Sequence, residues 1–563
     1  MSQLQHIDEM WHPLALPAGL SSTQLVSRLV ELPDLAQRVG VLSPQNLLLL
    51  MQEIGLEDAM FLFEAATAEQ IQGILDLTIW PGTSPDYDRV VAWLDYAAST
   101  SDEALLRTLR GTDPEILMSL ILERATLFHR PDSEEDIEFE GELHYTPDRL
   151  FAFGFATTED GETNDAAVTI RKAIQVLYRD DVDFVRRLLF TLLPEAQSNL
   201  EETLYQFRLG RLEDLGFLPF DEASTLYHVE SLPRLRLTLE EEIREMRPSA
   251  APPGDALPEA LVPLEPESLL ARVLATLHHD ERQQFFIHLT YLVNRSLVAR
   301  EIPLDDMDLA RREIRWVASH LNLGLESLAA GDFDTARAMV TRTSLLNVFR
   351  GSNAVLHPVR RRAQGLLRRF GIPRGYRLLS DAETHFIEAL ASRFPVRHAE
   401  PESSPFVTLA EVERATQHVA RFEAIADWLE RRLGFTPAVL DAMVPEHGDR
   451  VVHLSLPLLL ATLVVHRVTS GEFRIDSITE EQCQQVIRLW FGAGPKLSAA
   501  TREQVIGDTF AKLVDSHAEL EEPSMRYLIN ATFEFLESEL GTLDASAALD
   551  PRGLPIGFLR VSH

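Results

Sequence analysis

The sequence predicts a mainly all-α fold, and three observations carry that expectation. Short apolar units open on a helix-capping residue again and again in the first region. Apolar residues recur at spacings of three and four through the second half. Strand-like alternation is confined to one stretch, 129–162. With 563 residues the chain exceeds what one hydrophobic core can organise, so several domains are expected.

The first region, 1–128, reads as an acidic helical-repeat domain. Ser43-Pro44-Gln45, Gly55-Leu56-Glu57-Asp58 and Thr67-Ala68-Glu69-Gln70 each open a brief helix, 12 residues apart, and Ser101-Asp102-Glu103 and Thr112-Asp113-Pro114-Glu115 do so again, 11 apart. A small polar residue satisfies the first backbone N–H groups, and acidic side chains sit at the positive end of the helix dipole. Thr67 with Gln70 and Thr112 with Glu115 have the spacing of reciprocal capping boxes. Helices this short need neighbours to bury their apolar faces, which predicts a stacked array.

Residues 129–162 are expected to form an inserted acidic loop and β-hairpin. Glu138–Tyr145 and Leu150–Phe155 would pair across Thr146-Pro147-Asp148, with Phe151, Phe153 and Phe155 on one half-buried face. Helices resume over 163–246, with Phe217–Glu222 turning into a new helix start. Six prolines then mark 247–267 as a linker, because proline removes a donor and fixes the backbone. A helical bundle is expected over 268–540 and a tail over 541–563. Within the bundle Met307, Ala310, Ile314, Val317, Leu321, Gly324 and Leu328 form one stripe, turned at Gly331-Asp332 into a second helix. A second stripe runs from Val412 to Leu433, opened by a Thr408–Glu411 capping box and closed by Gly434.

Charge narrows the function classes. The chain carries 87 acidic against 52 basic residues, a net charge of −35. That balance opposes general binding to nucleic acid and to anionic lipid. A lone cysteine, Cys483, fits a reducing cytosol, and the opening MSQLQHIDEM lacks the basic and apolar regions of a secretory signal. The longest apolar stretch, Leu454–Val465, is too short to span a membrane and reads as a buried core helix. A cytoplasmic location follows as an expectation.

Against that background residues 350–377 hold eight arginines and no acid. Pro358 suits the first helical position, Gly371 and Pro373 the end, and Val359, Ala363, Leu366 and Phe370 an apolar stripe between. Arg361 and Arg368 lie seven apart on one flank, Arg362 and Arg369 on the next. With Arg360 these five are the candidate binding residues. Their charge would be answered within the fold, by an acidic protein segment, by a phosphate-bearing ligand or nucleic acid, or at a membrane surface.

Other chemistry finds less support. His278-His279-Asp280-Glu281 with His288 has metal-ligand residue types, but adjacent histidines diverge by about 100° on a helix. Glu383, His385 and Glu388 lack the second motif that a di-metal carboxylate site needs. Cys483 lies among apolar neighbours in a helix capped by Thr479 and Gln482, which predicts an inert thiol. Gly492–Lys496 lacks the spacing of a phosphate loop and reads as a helix-ending turn. No catalytic residue, metal or cofactor is expected.

The rhythm of short helices in the first region resembles the cytosolic N-terminal domain of bacterial magnesium transporters and the helical units of flagellar motor-switch proteins. That resemblance implies an acidic surface responsive to Mg²⁺. No channel follows, so it does not imply transport. Over its whole length the chain resembles a family of large bacterial proteins known as a domain of unknown function, through Leu42–Leu77, Gly216–Tyr227 and Leu321–Arg350. That resemblance brings no functional residues with it. The preferred expectation is a scaffold or adaptor that binds another protein. The alternatives are an enzyme or sensor with an anion- or metal-binding pocket between helical layers, and a divalent-cation-responsive repeat domain.

Overall fold

A computed structural model describes residues 21–543 apart from 81–83, 131–136, 157–164, 193–199, 214, 246–255, 258–260, 304–305, 398–403, 448–450, 476–477, 492–493 and 515. The proposed tail at 541–563 falls almost wholly outside them. The described residues are mainly α-helical, with one three-stranded antiparallel sheet. The contacts divide the chain into two compact units, Met1–Asn353 and Ala354–His563. The division falls inside one long helix, Leu345–Arg369. Within the Pro-rich stretch Leu257, Leu261 and Val262 are buried, and the Leu257 N–H donates to Thr290 Oγ1 at 2.8 Å.

Short helices build the start of the first unit, among them Pro44–Ile54, Met60–Ala65, Ala68–Thr78, Tyr87–Thr100, Asp102–Gly111 and Pro114–Arg124. Ser43 and Ser101 cap their helices as expected, and Thr67 with Gln70 forms a complete capping box. Two expected starts are corrected. The Thr112 hydroxyl turns back to the Thr108 carbonyl at 2.7 Å, so Thr112 and Glu115 form no box. Asp113 stands at that cap without a side-chain cap bond, because Arg211 and Gln72 draw its carboxylate away. Gly55, expected to open a helix, ends the preceding one at φ +101, and the next begins at Met60.

The hairpin forms across the expected turn, with β2 (Glu142–Tyr145) starting four residues later than expected and pairing with β3 (Phe151–Phe155). A strand the sequence reading missed, β1 (Thr126–His129), pairs with the other edge of β3. β3 is consequently the middle strand and is buried on both faces, not on one. Phe190 packs edge-on against Phe151, ring centroids 5.0 Å apart, while the Phe139 ring lies over Gly154, where a Cβ would stand 2.8 Å away.

The centre of the first unit is the helix Met307–Ala329. Its stripe is buried from Ala310 to Leu328 as expected, but from Trp316 to Leu325 every residue is buried. Gly324 accounts for some of this burial. A Cβ there would stand 1.9 Å from the Val348 carbonyl oxygen, so the two helix backbones touch. Glycine in a helix interior costs about 1 kcal/mol relative to alanine, and here the close approach requires it.

In the second unit the helix Leu409–Leu433 carries its predicted box and stripe and ends at Gly434, φ +59. The apolar stretch forms the core helix Leu456–Ser470, and no described helix is long and apolar enough to cross a membrane.

Candidate functional site

The arginine-rich segment is helical, but its start is not Pro358. The helix begins at Leu345 and carries Pro358 in its interior. It ends at Gly371, φ +68, as the sequence predicts. Val359, Ala363, Leu366 and Phe370 are all buried. This anchored stripe fixes which way the arginines point.

Half of the eight arginines are answered by the protein's own groups. The Arg362 guanidinium forks onto Glu423, with Nε donating at 3.0 Å and Nη2 at 2.6 Å. Arg369 bridges two carboxylates, Glu430 at 2.8 Å and Asp427 at 2.6 Å. The bonds to Glu423 raise the Arg362 pKa, and those to Glu430 and then Asp427 raise that of Arg369. Arg374 pairs with Asp441, which also accepts from Tyr376 Oη at 2.6 Å. Arg350 donates to the Thr225 carbonyl at 3.0 Å.

The other four are not. Arg361, Arg368 and Arg377 are exposed, and none has a carboxylate partner among the described residues. Arg360 is half-buried, with its Nε unpartnered. Arg361 and Arg368 point directly away from the buried stripe at 100° per residue. His357 shares that outer face, and burial followed by the fields of Arg361 and Arg360 lowers its pKa. The five candidate residues thus separate into a neutralised pair, Arg362 and Arg369, and an open set, Arg360, Arg361 and Arg368.

A second ionic site, in the first unit, was missed from sequence. Glu313 is 1 % exposed on the central helix. It accepts from Arg300 at 2.6 Å and from Ser296 Oγ at 2.5 Å. Trp316 Nε1 donates to Tyr227 Oη at 3.2 Å, and Tyr227 Oη lies 2.6 Å from Ser296 Oγ. A serine hydroxyl has one proton, and the carboxylate takes it, so Tyr227 must donate to Ser296. The protons therefore all point one way, from indole to phenol to hydroxyl to carboxylate. The Arg300 guanidinium also lies 4.0 Å from the centre of the Trp316 ring.

His320 stacks on the same group, 4.3 Å from Trp316 and 5.3 Å from Phe349 between centroids. Its Nδ1 lies 3.1 Å from the Trp316 carbonyl oxygen, which only accepts, so that nitrogen carries the proton. Burial pushes the His320 pKa down to about 3. Burial raises the Glu313 pKa, against the opposing effect of Arg300, and raises that of Tyr227. The cluster joins three segments distant in sequence, so only its residue types were visible beforehand. The usable signal was a Glu, a Trp and a His beside an apolar stripe.

The remaining candidates have structural partners. Glu281 closes a capping box on the His278 N–H and pairs with Arg337 at 3.0 Å. Glu383 closes the Ser380 box and accepts from Tyr527 Oη. Among the described residues no three His, Cys, Asp or Glu side chains gather to hold a metal ion. Cys483 is buried, with its thiol pushed up to about 11 by desolvation. Of the Gly492–Lys496 turn, 492–493 lie outside the described residues. A cavity of about 30 Å³ in the first unit is lined only by aliphatic side chains, including Leu94, Leu117, Ile170 and Leu189, and offers no group to orient a polar ligand.

These features define a large helical protein with a buried ionic cluster in one unit and a partly open arginine face in the other. The chain belongs to the family of unknown function DUF6178, whose pattern matches residues 14–560. No curated protein and no solved structure matches it.

Proposed function

We propose that the protein is a helical scaffold that docks an acidic protein segment on the open arginines of its long helix. One observation carries this reading. Arg361 and Arg368 stand exposed with no carboxylate partner among the described residues, in a chain with 35 surplus negative charges, while their neighbours Arg362 and Arg369 are matched. Planar guanidinium forks suit carboxylates, and because the apolar stripe already fixes the helix backbone, binding costs only the freedom of the side chains. The surplus acid elsewhere repels an acidic partner only weakly, since charges farther than about 10 Å away are screened at 0.1 M salt.

Titrating the full-length protein into fluorescein-labelled poly-glutamate, read by anisotropy, tests the proposal. Binding should be measurable at low salt, weaken as salt rises and disappear in the double variant R361E/R368E. Absence of binding at low salt, or binding indifferent to the double variant, would refute it.

A further inference from the structure

The way the long helix treats its matched arginines says what should sit on the open ones. Arg362 and Arg369 are seven residues apart, two helical turns, or about 10.5 Å of rise. They meet Glu423 and Glu430, also seven apart, on the helix Leu409–Leu433. Both pairs are separated by 61 residues, so the two helices run in the same direction in register. Asp427 falls between the two glutamates and takes the second arm of Arg369. The protein thus contains a worked example of one face of this helix reading carboxylates at heptad spacing.

Arg361 and Arg368 repeat the same spacing one residue earlier, turned by about 100° to the outer face. Gly365 stands along the helix between them, and a Cβ placed on it would meet nothing within 4 Å. A partner backbone can therefore approach closely there. We infer that the occupant of this face is an α-helix of another protein bearing carboxylates seven residues apart, gripped in the manner of Glu423 and Glu430. This rests on the docking reading above and adds the shape of the partner. A nucleic acid strand or an extended acidic chain presents charge at other intervals and would gain nothing from the heptad register.

Three labelled probes separate the possibilities, each titrated against the full-length protein. The first is an alanine-rich helical peptide with Glu, Asp and Glu at the spacing of 423, 427 and 430. The second has the same composition with its acids distributed around the helix. The third is poly-glutamate. The heptad peptide should bind about tenfold more tightly than the redistributed one, the difference expected from about two extra charge-assisted pairs. R361Q/R368Q should abolish that preference with an unchanged circular dichroism spectrum, and R377Q, beyond the helix, should leave it intact. Equal binding of all three probes, lost in R361Q/R368Q, would overturn the helix inference and leave the docking reading standing. No binding of any probe would overturn both, and a preference that survives R361Q/R368Q would place the partner elsewhere.

Discussion

The same ion pair, arginine with glutamate, appears in two settings with opposite consequences. Arg300 and Glu313 lie inside the first unit, where the carboxylate has lost water, the guanidinium keeps only a small exposed fraction, and Ser296 also donates to the acid. Arg362 and Glu423 lie at the surface of the second, about a third exposed, where solvent competes with them. Burial makes the first pair expensive to break, because little water reaches the charge that survives. Exposure makes the second cheap, which is why the arginines beside it can remain unmatched at all.

The contrast is sharpest for Glu313→Ala. It strands the Arg300 guanidinium and the Ser296 hydroxyl in the interior, and should cost about 3–5 kcal/mol in urea unfolding. A loss below about 1 kcal/mol would show that water reaches the pair. Gly324→Ala should rank next, at about 3 kcal/mol, because the added methyl must push the two helix backbones apart at the Val348 carbonyl. A neutral result there would mean that the helices separate freely.

His320 tests the buried site through pH. Its folded pKa, about 3, lies below its unfolded value near 6.5, so the unfolded chain binds the extra proton. Stability from this group is complete above pH 6.5 and is lost as pH falls toward 3, with a slope of up to ~1.4 kcal/mol per pH unit. His320→Phe keeps a stacked ring and removes the proton site. The wild-type chain should therefore lose stability faster than the variant between pH 6.5 and 5. Parallel slopes would contradict a buried neutral imidazole.

On the exposed side the effects shrink. Arg362→Ala should cost at most about 1 kcal/mol and less at high salt. Arg361→Ala and Arg368→Ala should leave stability within about 0.5 kcal/mol of wild type. A cost from either of these larger than that of Arg362→Ala would mean that the open face is already occupied within the fold.

Much of the architecture was legible because it is local. Caps such as Ser43, Thr67, Thr408 and Thr479 satisfy donors three residues on, so their positions follow from the chain alone. The stripes Ala310–Leu328 and Val412–Leu429 and the end of the arginine helix at Gly371 are of the same kind. Misreadings arose where distant groups competed. Arg211 took the Asp113 carboxylate from its helix, and β1 supplied a second partner that buried both faces of β3. Pro358 looked like a start because proline lacks a donor, yet the helix runs through it.

A mainly helical protein, its principal caps and stripes, and an arginine run of unusual local charge all follow from the order of residues, since these depend on spacing within a few turns. Which arginines find a carboxylate, and that Glu313, Tyr227, Ser296, Arg300 and Trp316 share one network around a buried carboxylate, emerge only when the chain is folded. Pairing and burial depend on which distant side chains arrive at the same place, and the cost of leaving a charge without water is set there.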